Sequence, residues 1–161
     1  MRRTALTAAV RRALLALGSP SAGETLVVGL SGGPDSVALA DALAEAGAEG
    51  GFRVVAGHLD HALRSGSRED AAFCVDLCGR LGIPLRAGVA DVRARARRDG
   101  GGLEEAARIE RYAFLRAVMR EEGAVAIAVD AGYEHAGQRS VDDRDHRQPG
   151  SAGGKPGFRW S

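Results

Sequence analysis

The stretch Thr25-Leu-Val-Val-Gly-Leu30 is a short apolar run of β type. It breaks at once into Ser31-Gly32-Gly33-Pro34-Asp35-Ser36, and helical periodicity starts immediately afterwards. A strand that empties through a glycine turn into a helix is half of a βαβ unit, and the chain repeats the alternation. From Asp35 the residues Leu39, Leu43 and Ala46 keep helical spacing up to Gly47 and the pair Gly50-Gly51, and a second strand pattern covers Arg53 to His58. Ser67 and Asp70 have the spacing of an N-cap and its N3 partner, opening a helix that carries Ala71, Cys74, Cys78 and Leu81 on one side and stops at Gly82. Leu85 to Val92 is a weaker third strand, Arg93 to Gly102 reads as a basic connector, and Leu103 to Glu122 is the longest helical pattern. Ala124 to Val129 is a fully apolar fourth strand. Ahead of all this, Leu6, Val10, Leu14 and Leu17 share a helical stripe that ends at Gly18. The order αβαβαβαβ predicts an α/β fold, a doubly wound parallel sheet with helices on both faces.

Residues 1–130 read as the sheet-bearing domain with its N-terminal helix, and residues 131–161 stand apart. From Ala131 onward only Val141 and Phe158 come from the Ile, Leu, Val and Phe set. This predicts a disordered or loosely attached tail in which no element is buried. Across the chain, 30 Ala and 23 Gly against 4% aromatics predict a core in which backbones approach closely.

Of the 22 basic residues only Lys155 is a lysine, and it is followed by Pro156. A Walker loop needs Lys followed by Ser or Thr, and pyridoxal chemistry needs a Schiff-base Lys, so both are excluded. The net charge of +1 neither demands nor forbids a nucleic-acid partner. Cys74 and Cys78, four apart on one helix face, are expected to be reduced thiols of a cytoplasmic protein. Arg11 and Arg12 interrupt any signal-like run, and no stretch reaches the roughly 18 apolar residues of a membrane span, so no membrane partner is expected.

In an open parallel sheet the first βα turn is an anion site, and paired glycines followed by a helix start suit an oxyanion. Ser31 and Ser36 add hydroxyl donors. Asp35 repels phosphate unless a cation bridges the two, which points to phosphate with Mg2+ at Asp35. The alternative is an ordinary βα turn in which Asp35 caps the helix. The segment His58-Leu-Asp60-His61-Ala-Leu-Arg64 closes the second strand at the same sheet edge, either as part of the site, as a surface turn, or as a partial zinc site of His58, Asp60 and His61. On the long helix Arg108 falls on the stripe of Tyr112, Leu115, Val118 and Met119, with Arg111 at its margin. Either both arginines meet phosphate, or they bridge to Glu104 or Glu105.

The hexapeptide Ser31–Ser36 resembles the signature of the PP-loop ATP pyrophosphatases. Taken with His58–Arg64 and Leu103-Glu-Glu-Ala-Ala-Arg108-Ile-Glu-Arg111-Tyr-Ala-Phe-Leu115, it resembles the tRNA(Ile)-lysidine synthases from about Ala22 to Val129. The resemblance implies an adenine nucleotide alpha hydrolase-like fold and an ATP-dependent ligase. Such an enzyme adenylates the wobble cytidine of tRNA(Ile), releases pyrophosphate and joins L-lysine to the base. It implies ATP binding at Ser31, Gly32, Gly33, Pro34, Asp35 and Ser36, Mg2+ at Asp35, and catalytic roles at the site edge for Asp35, His58, Asp60, His61, Arg108 and Arg111. In that family the fourth strand leads into a Gly-His turn, an aspartate pair and a Gln-Ala-Glu-Thr helix. Here Asp130-Ala-Gly-Tyr-Glu-His follows, and an aspartate pair comes only at Asp142-Asp143. The expectation is a truncated enzyme that does not complete the reaction. The alternatives are a non-catalytic nucleotide-binding remnant and a 2-thiocytidine tRNA synthetase-like protein, for which Cys74 and Cys78 stand one residue too far apart to form Cys-x-x-Cys.

Overall fold

The computed structural model describes residues 2–63, 66–136 and 159–160. Along the chain these form α1 (Arg2–Leu17), β1 (Thr25–Gly29), α2 (Pro34–Gly50), β2 (Arg53–Asp60), α3 (Ser67–Leu81), β3 (Leu85–Val89), α4 (Val92–Asp99), α5 (Leu103–Glu122), β4 (Ala126–Val129), β5 (Gly132–His135) and β6 (Arg159–Trp160). The strands form one sheet of order β5-β4-β1-β2-β3-β6. Its four inner strands are parallel, with β1 flanked by β2 and β4, and β5 and β6 pair antiparallel on the two sides.

Burial on both faces explains the continuous apolar strands. Leu26 and Val28 of β1 face one layer with Leu43 of α2 and Cys74 and Cys78 of α3. Val27, between them, faces the other layer, built from Phe114, Leu115 and Val118 of α5. The helices α2 and α3 therefore cover one face and α5 the other, as a doubly wound sheet requires. Gly57 makes the second layer tight: a Cβ there would lie 2.7 Å from Leu115 Cδ2. The notch lets α5 sit low on the sheet, which sets the height of the side chains one turn nearer its start.

Several local expectations change. The helix α2 runs through Gly47 and ends at Gly51, whose φ of 74° terminates it. The helix α3 is preceded by Gly66, so Ser67 is its first residue and not its cap. The third strand stops at Val89, and the connector from Arg93 is instead the helix α4. Asp91 caps α4 by accepting a hydrogen bond from the Ala94 amide at 2.9 Å. Val92 is its one buried residue, so no apolar period announces it, and Arg95 ties it to Glu110 of α5 at 2.9 Å. On α1 the buried line is Thr7 and Leu14, whereas Leu6 and Leu17 of the expected stripe are exposed. Val10 of the stripe packs against the same core as Leu14, and Thr7 Oγ1 donates to Glu45 of α2 at 2.6 Å.

Beyond Asp130 the chain adds β5, an element not expected there, which pairs with all of β4 while none of its residues is buried. Its attachment is polar. Arg116 grips the Glu134 carboxylate with Nε at 2.9 Å and Nη2 at 3.3 Å, and the Tyr133 hydroxyl donates to the Ser19 carbonyl at 3.2 Å. Backbone pairing and an ion pair do the work expected of Ile, Leu and Val. The rest of the expected tail, including Asp142-Asp143, lies outside the described residues, except for β6, and so does Arg64. Among the described residues no helix is long and apolar enough to cross a membrane.

Candidate functional site

From β1 the chain crosses to β2 and β3 on one side, and it later returns to place β4 on the other. The strand order therefore reverses between β1 and β4, and a crevice opens beyond their C-terminal ends. A hollow of about 70 Å3 lies there. Gly29, Leu30, Ser31 and Ser36 form one side, Val129 and Asp130 another, and His61 and Arg111 close it from the turn after β2 and from α5.

The glycine turn is held from within. The Ser36 side chain, 2% exposed, accepts from the Ser31 amide at 3.2 Å and from the Ser31 hydroxyl at 3.0 Å, and it donates to the Gly33 carbonyl at 3.0 Å. Ser31 Oγ also accepts from the Gly33 amide at 3.3 Å. Both hydroxyls, expected as ligand donors, thus serve the loop's own closure. The first intrahelical bond of α2 runs from the Val37 amide to the Gly33 carbonyl at 3.1 Å. The amides of Asp35 and Ser36 precede it and make no backbone hydrogen bond among the described residues, as the first amides of a helix do, which leaves them able to meet an anion. Gly32 has a φ of 90°, so the turn needs glycine at that position. Asp35 is exposed in the first turn of α2, where a carboxylate suits the helix dipole, and it makes no side-chain cap bond.

The histidines and arginines separate. His61 lines the hollow, and its Nδ1 is buried without a hydrogen-bond partner among the described residues. Burial, followed by the positive charge of Arg111, lowers its pKa from the ordinary histidine value. Asp60 makes the turn that presents it: its Oδ1 accepts from the Ala62 amide at 2.8 Å, and Ala62 takes a φ of 52°. His58 points to the opposite face of the sheet, 5% exposed and bonded to the Leu30 carbonyl, as strand alternation dictates. A zinc site of His58, Asp60 and His61 is therefore not formed. No group of three or more His, Cys, Asp or Glu side chains among the described residues is placed to hold a metal.

On α5 the expected order of the arginines is reversed. Arg111 lines the hollow, its Nε is buried and without a partner among the described residues, and its guanidinium lies 5.6 Å from the Tyr112 ring centroid. Arg108 is 39% exposed in its side chain and grips Glu105 with Nη2 at 2.9 Å and Nε at 3.0 Å. The stripe continues geometrically to Arg108, but its carboxylate partner three residues earlier holds it outward. Asp130 was missed by sequence reasoning, although a charge directly after a fully apolar parallel strand sits at the ligand edge by construction. Cys74 and Cys78 are free, buried thiols. Burial pushes Cys74 up to about 11 and raises Cys78 as well.

Known proteins share this architecture. Residues 6–133 match the family of the PP-loop domain. The tRNA(Ile)-lysidine synthase of Deinococcus deserti is 49% identical over 111 residues, covering 69% of this chain and 20% of that protein. The tRNA(Ile)-lysidine synthase of Dehalococcoides mccartyi is 39% identical over 125 residues, covering 77% of this chain and 26% of that protein. The chain thus spans about a fifth to a quarter of the length of these curated relatives. Among solved structures, the U34-tRNA thiolase NcsA from Methanococcus maripaludis superposes with a TM-score of 0.65 at 18% identity, covering 80% of this chain and 45% of that one. The NH3-dependent NAD synthetase from Campylobacter jejuni gives 0.54 at 21% identity, covering 78% and 53%. Both likenesses concern the fold.

Proposed function

The chain belongs to the PP-loop domain family, and from that premise we propose that its described part is the ATP-binding half of a tRNA-modifying enzyme of the lysidine synthase type. The observation that carries this reading is the crevice between β1 and β4. A self-closed glycine loop with free helix amides faces His61 and Arg111, each with a buried nitrogen lacking a partner. Orphaned buried donors are costly unless a ligand meets them, and an anion supplies what both the amides and Arg111 lack. The names of the lysidine synthase relatives support tRNA(Ile) as the substrate, and in this reading its wobble cytidine is the acceptor and L-lysine the incoming amine.

In this reading the amides of Asp35 and Ser36 hold the departing pyrophosphate, and Arg111 neutralises charge on the α-phosphate. The cytidine O2 attacks the α-phosphorus, the bond to the β-phosphate breaks, and pyrophosphate leaves. The lysine side-chain amine then attacks C2 of the base and AMP departs. His61, disfavoured as a cation by burial and by Arg111, suits a neutral hydrogen-bonding role at the nucleotide. Mg2+ fits the available carboxylates, Asp35 at the loop and Asp130 on the facing wall, because the ion commonly takes one or two carboxylates plus substrate phosphates. When bound it would offset phosphate charge beside Asp35. Arg108 and Asp60 act as supports: Arg108 orders the start of α5 through Glu105, and Asp60 sets the turn of His61.

Attack requires the acceptor within about 3 to 3.5 Å of the α-phosphorus, and therefore a second wall. From Ala131 onward only Val141 and Phe158 come from the Ile, Leu, Val and Phe set, a composition poor in the apolar residues such a wall needs, and we therefore propose that the chain binds ATP and does not by itself form lysidine. The test is calorimetric titration of the purified chain with ATP and Mg2+, alongside incorporation of labelled lysine into tRNA(Ile). ATP binding without incorporation is the expected pair of results. No ATP binding overturns the nucleotide reading, and incorporation by this chain alone overturns the division of the site.

A further inference from the structure

We infer that His58 is the positioning residue of the glycine loop, acting through the Leu30 carbonyl from the face of the sheet opposite the nucleotide. Leu30 is the last residue before Ser31, and β2 clamps it twice. Its amide donates to the Gly57 carbonyl at 2.8 Å, and its carbonyl lies 2.7 Å from His58 Nδ1. A carbonyl only accepts, so Nδ1 carries the proton, and in the neutral ring Nε2 is left as an acceptor. That Nε2 is buried with no partner among the described residues. An imidazole kept for core stability alone would not leave a polar atom unsatisfied in the interior, where this costs more than an apolar filler. What the ring provides is a rigid donor that fixes the direction in which the chain leaves β1.

Cys74 completes the support. Its Sγ lies 3.6 Å from His58 Nδ1 and 4.0 Å from the point where a Cβ on Gly32 would stand. With Nδ1 donating to Leu30, the sulfur is a soft packing surface and at most a second, weak acceptor. The column Cys74, His58, Leu30 thus runs from the interior of α3 to the base of the turn whose amides face the ligand.

The inference rests on the loop's being an ATP site, and one experiment separates the two. Amide hydrogen exchange across residues 30–36 and ATP affinity are measured for the wild-type chain and for His58→Asn, His58→Gln and His58→Leu, each first shown to melt cooperatively. Asn presents an amide N–H near the position of Nδ1, whereas Gln presents it near Nε2. Loop exchange and Kd of His58→Asn should stay within about threefold of wild type, while Gln and Leu exchange faster and bind about tenfold more weakly, the loss of one buried hydrogen bond. A purely structural role would lower the melting temperature of His58→Leu and leave its affinity per folded molecule unchanged, which overturns the inference. So does an Asn variant as impaired as Leu. If His58→Leu fails to fold, the Asn and Gln pair and the imidazole 15N shifts decide, since an Nε2-protonated ring in the wild type refutes the strut. The expected exchange pattern with no ATP binding by any protein would uphold the strut and refute the nucleotide reading.

Discussion

Arg111 and Arg108, three residues apart on α5, have different surroundings: Arg111 lines the hollow and has a buried Nε without a partner among the described residues, whereas Arg108 is paired with the Glu105 carboxylate. Helical spacing alone does not distinguish them, because both lie close to the stripe of Leu115. The first expected outcome follows from the difference. Arg111→Met should keep or raise thermal stability, since it removes an unsatisfied buried polar atom, while weakening ATP binding by roughly 10- to 100-fold, the range of charge-assisted hydrogen bonds. Arg108→Gln should change affinity by less than about threefold, as expected for an exposed ion pair. Melting curves with calorimetric titration check both. Equal losses in the two variants would place Arg108 in the site as well.

His61 reports on the same geometry without any ligand. Burial is the main cause of its lowered pKa, and Arg111 is the next. Removing the guanidinium in Arg111→Met should move the His61 titration upward, toward the ordinary histidine value. An NMR pH titration of the His61 ring reads this directly. An unchanged midpoint would mean that Arg111 does not face His61 in solution.

How far the sequence reveals this arrangement depends on the kind of signal. The parallel sheet was legible because Leu26, Val27 and Val28 are apolar on both faces, a pattern that only a sheet covered on both sides accepts. The glycine loop was legible because Gly32 needs a positive φ. The helix α4 was not, since a single buried residue, Val92, gives no period, and its order comes from Asp91 and from the bridge of Arg95 to Glu110. The strand β5 was not, since Arg116 and Tyr133 hold it by polar contacts that no hydropathy pattern encodes. Within the site, Ser36 could be read as a loop residue but not as a strut, because its role depends on bonds to Ser31 and Gly33 that only the closed turn brings together.

The cysteines give a prediction about reactivity. Desolvation pushes Cys74 up to about 11 and raises Cys78. Only a small fraction of either is thiolate near neutral pH, and neither is accessible. At pH 8 iodoacetamide should leave both unmodified in the native chain and label both in denaturant, as read by intact mass. Fast labelling of Cys74 under native conditions would contradict the packing under Gly32.

At the opposite end of the sheet, Glu122 joins α5 to β2 and β3. Its carboxylate, 8% exposed, accepts from Arg53 Nη1 at 2.7 Å and is gripped by Arg86. The bond from Arg53 is the largest cause of its lowered pKa, acting against burial. A carboxylate whose folded pKa is depressed contributes stability above its unfolded value, and that contribution is lost as the pH falls through the folded one. Stability should therefore be flat from neutral pH down to the ordinary Glu value of 4.5 as far as this group is concerned, and should decline below it. Glu122→Gln should cost about 1–2 kcal/mol at neutral pH, a discounted figure because both arginines are partly exposed, and should flatten the acid limb. Urea unfolding of both proteins from pH 7 to pH 3 measures this, and parallel curves would remove Glu122 as the cause.

The two carboxylates at the crevice separate the duties of loop and wall. Asp35 stands in the first turn of α2 beside the amides proposed to hold the phosphates, and Asp130 closes the hollow from the end of β4. In the proposed ATP site each would repel a polyphosphate without a cation and would serve as a ligand with one. Asp35→Asn should thus bind ATP more tightly than wild type in the absence of Mg2+ and gain little when the ion is added, so that the stimulation by Mg2+ shrinks by about tenfold, one lost charge at a metal. Asp130→Asn should behave in the same direction with a smaller change if it faces the ion through water, and not at all if it only lines the wall. Titrations of the wild type and both variants, with EDTA and with excess Mg2+, give the four numbers needed for each comparison. A wild-type affinity that is independent of Mg2+ would remove the metal from both residues and leave Asp35 as a helix-dipole partner of α2.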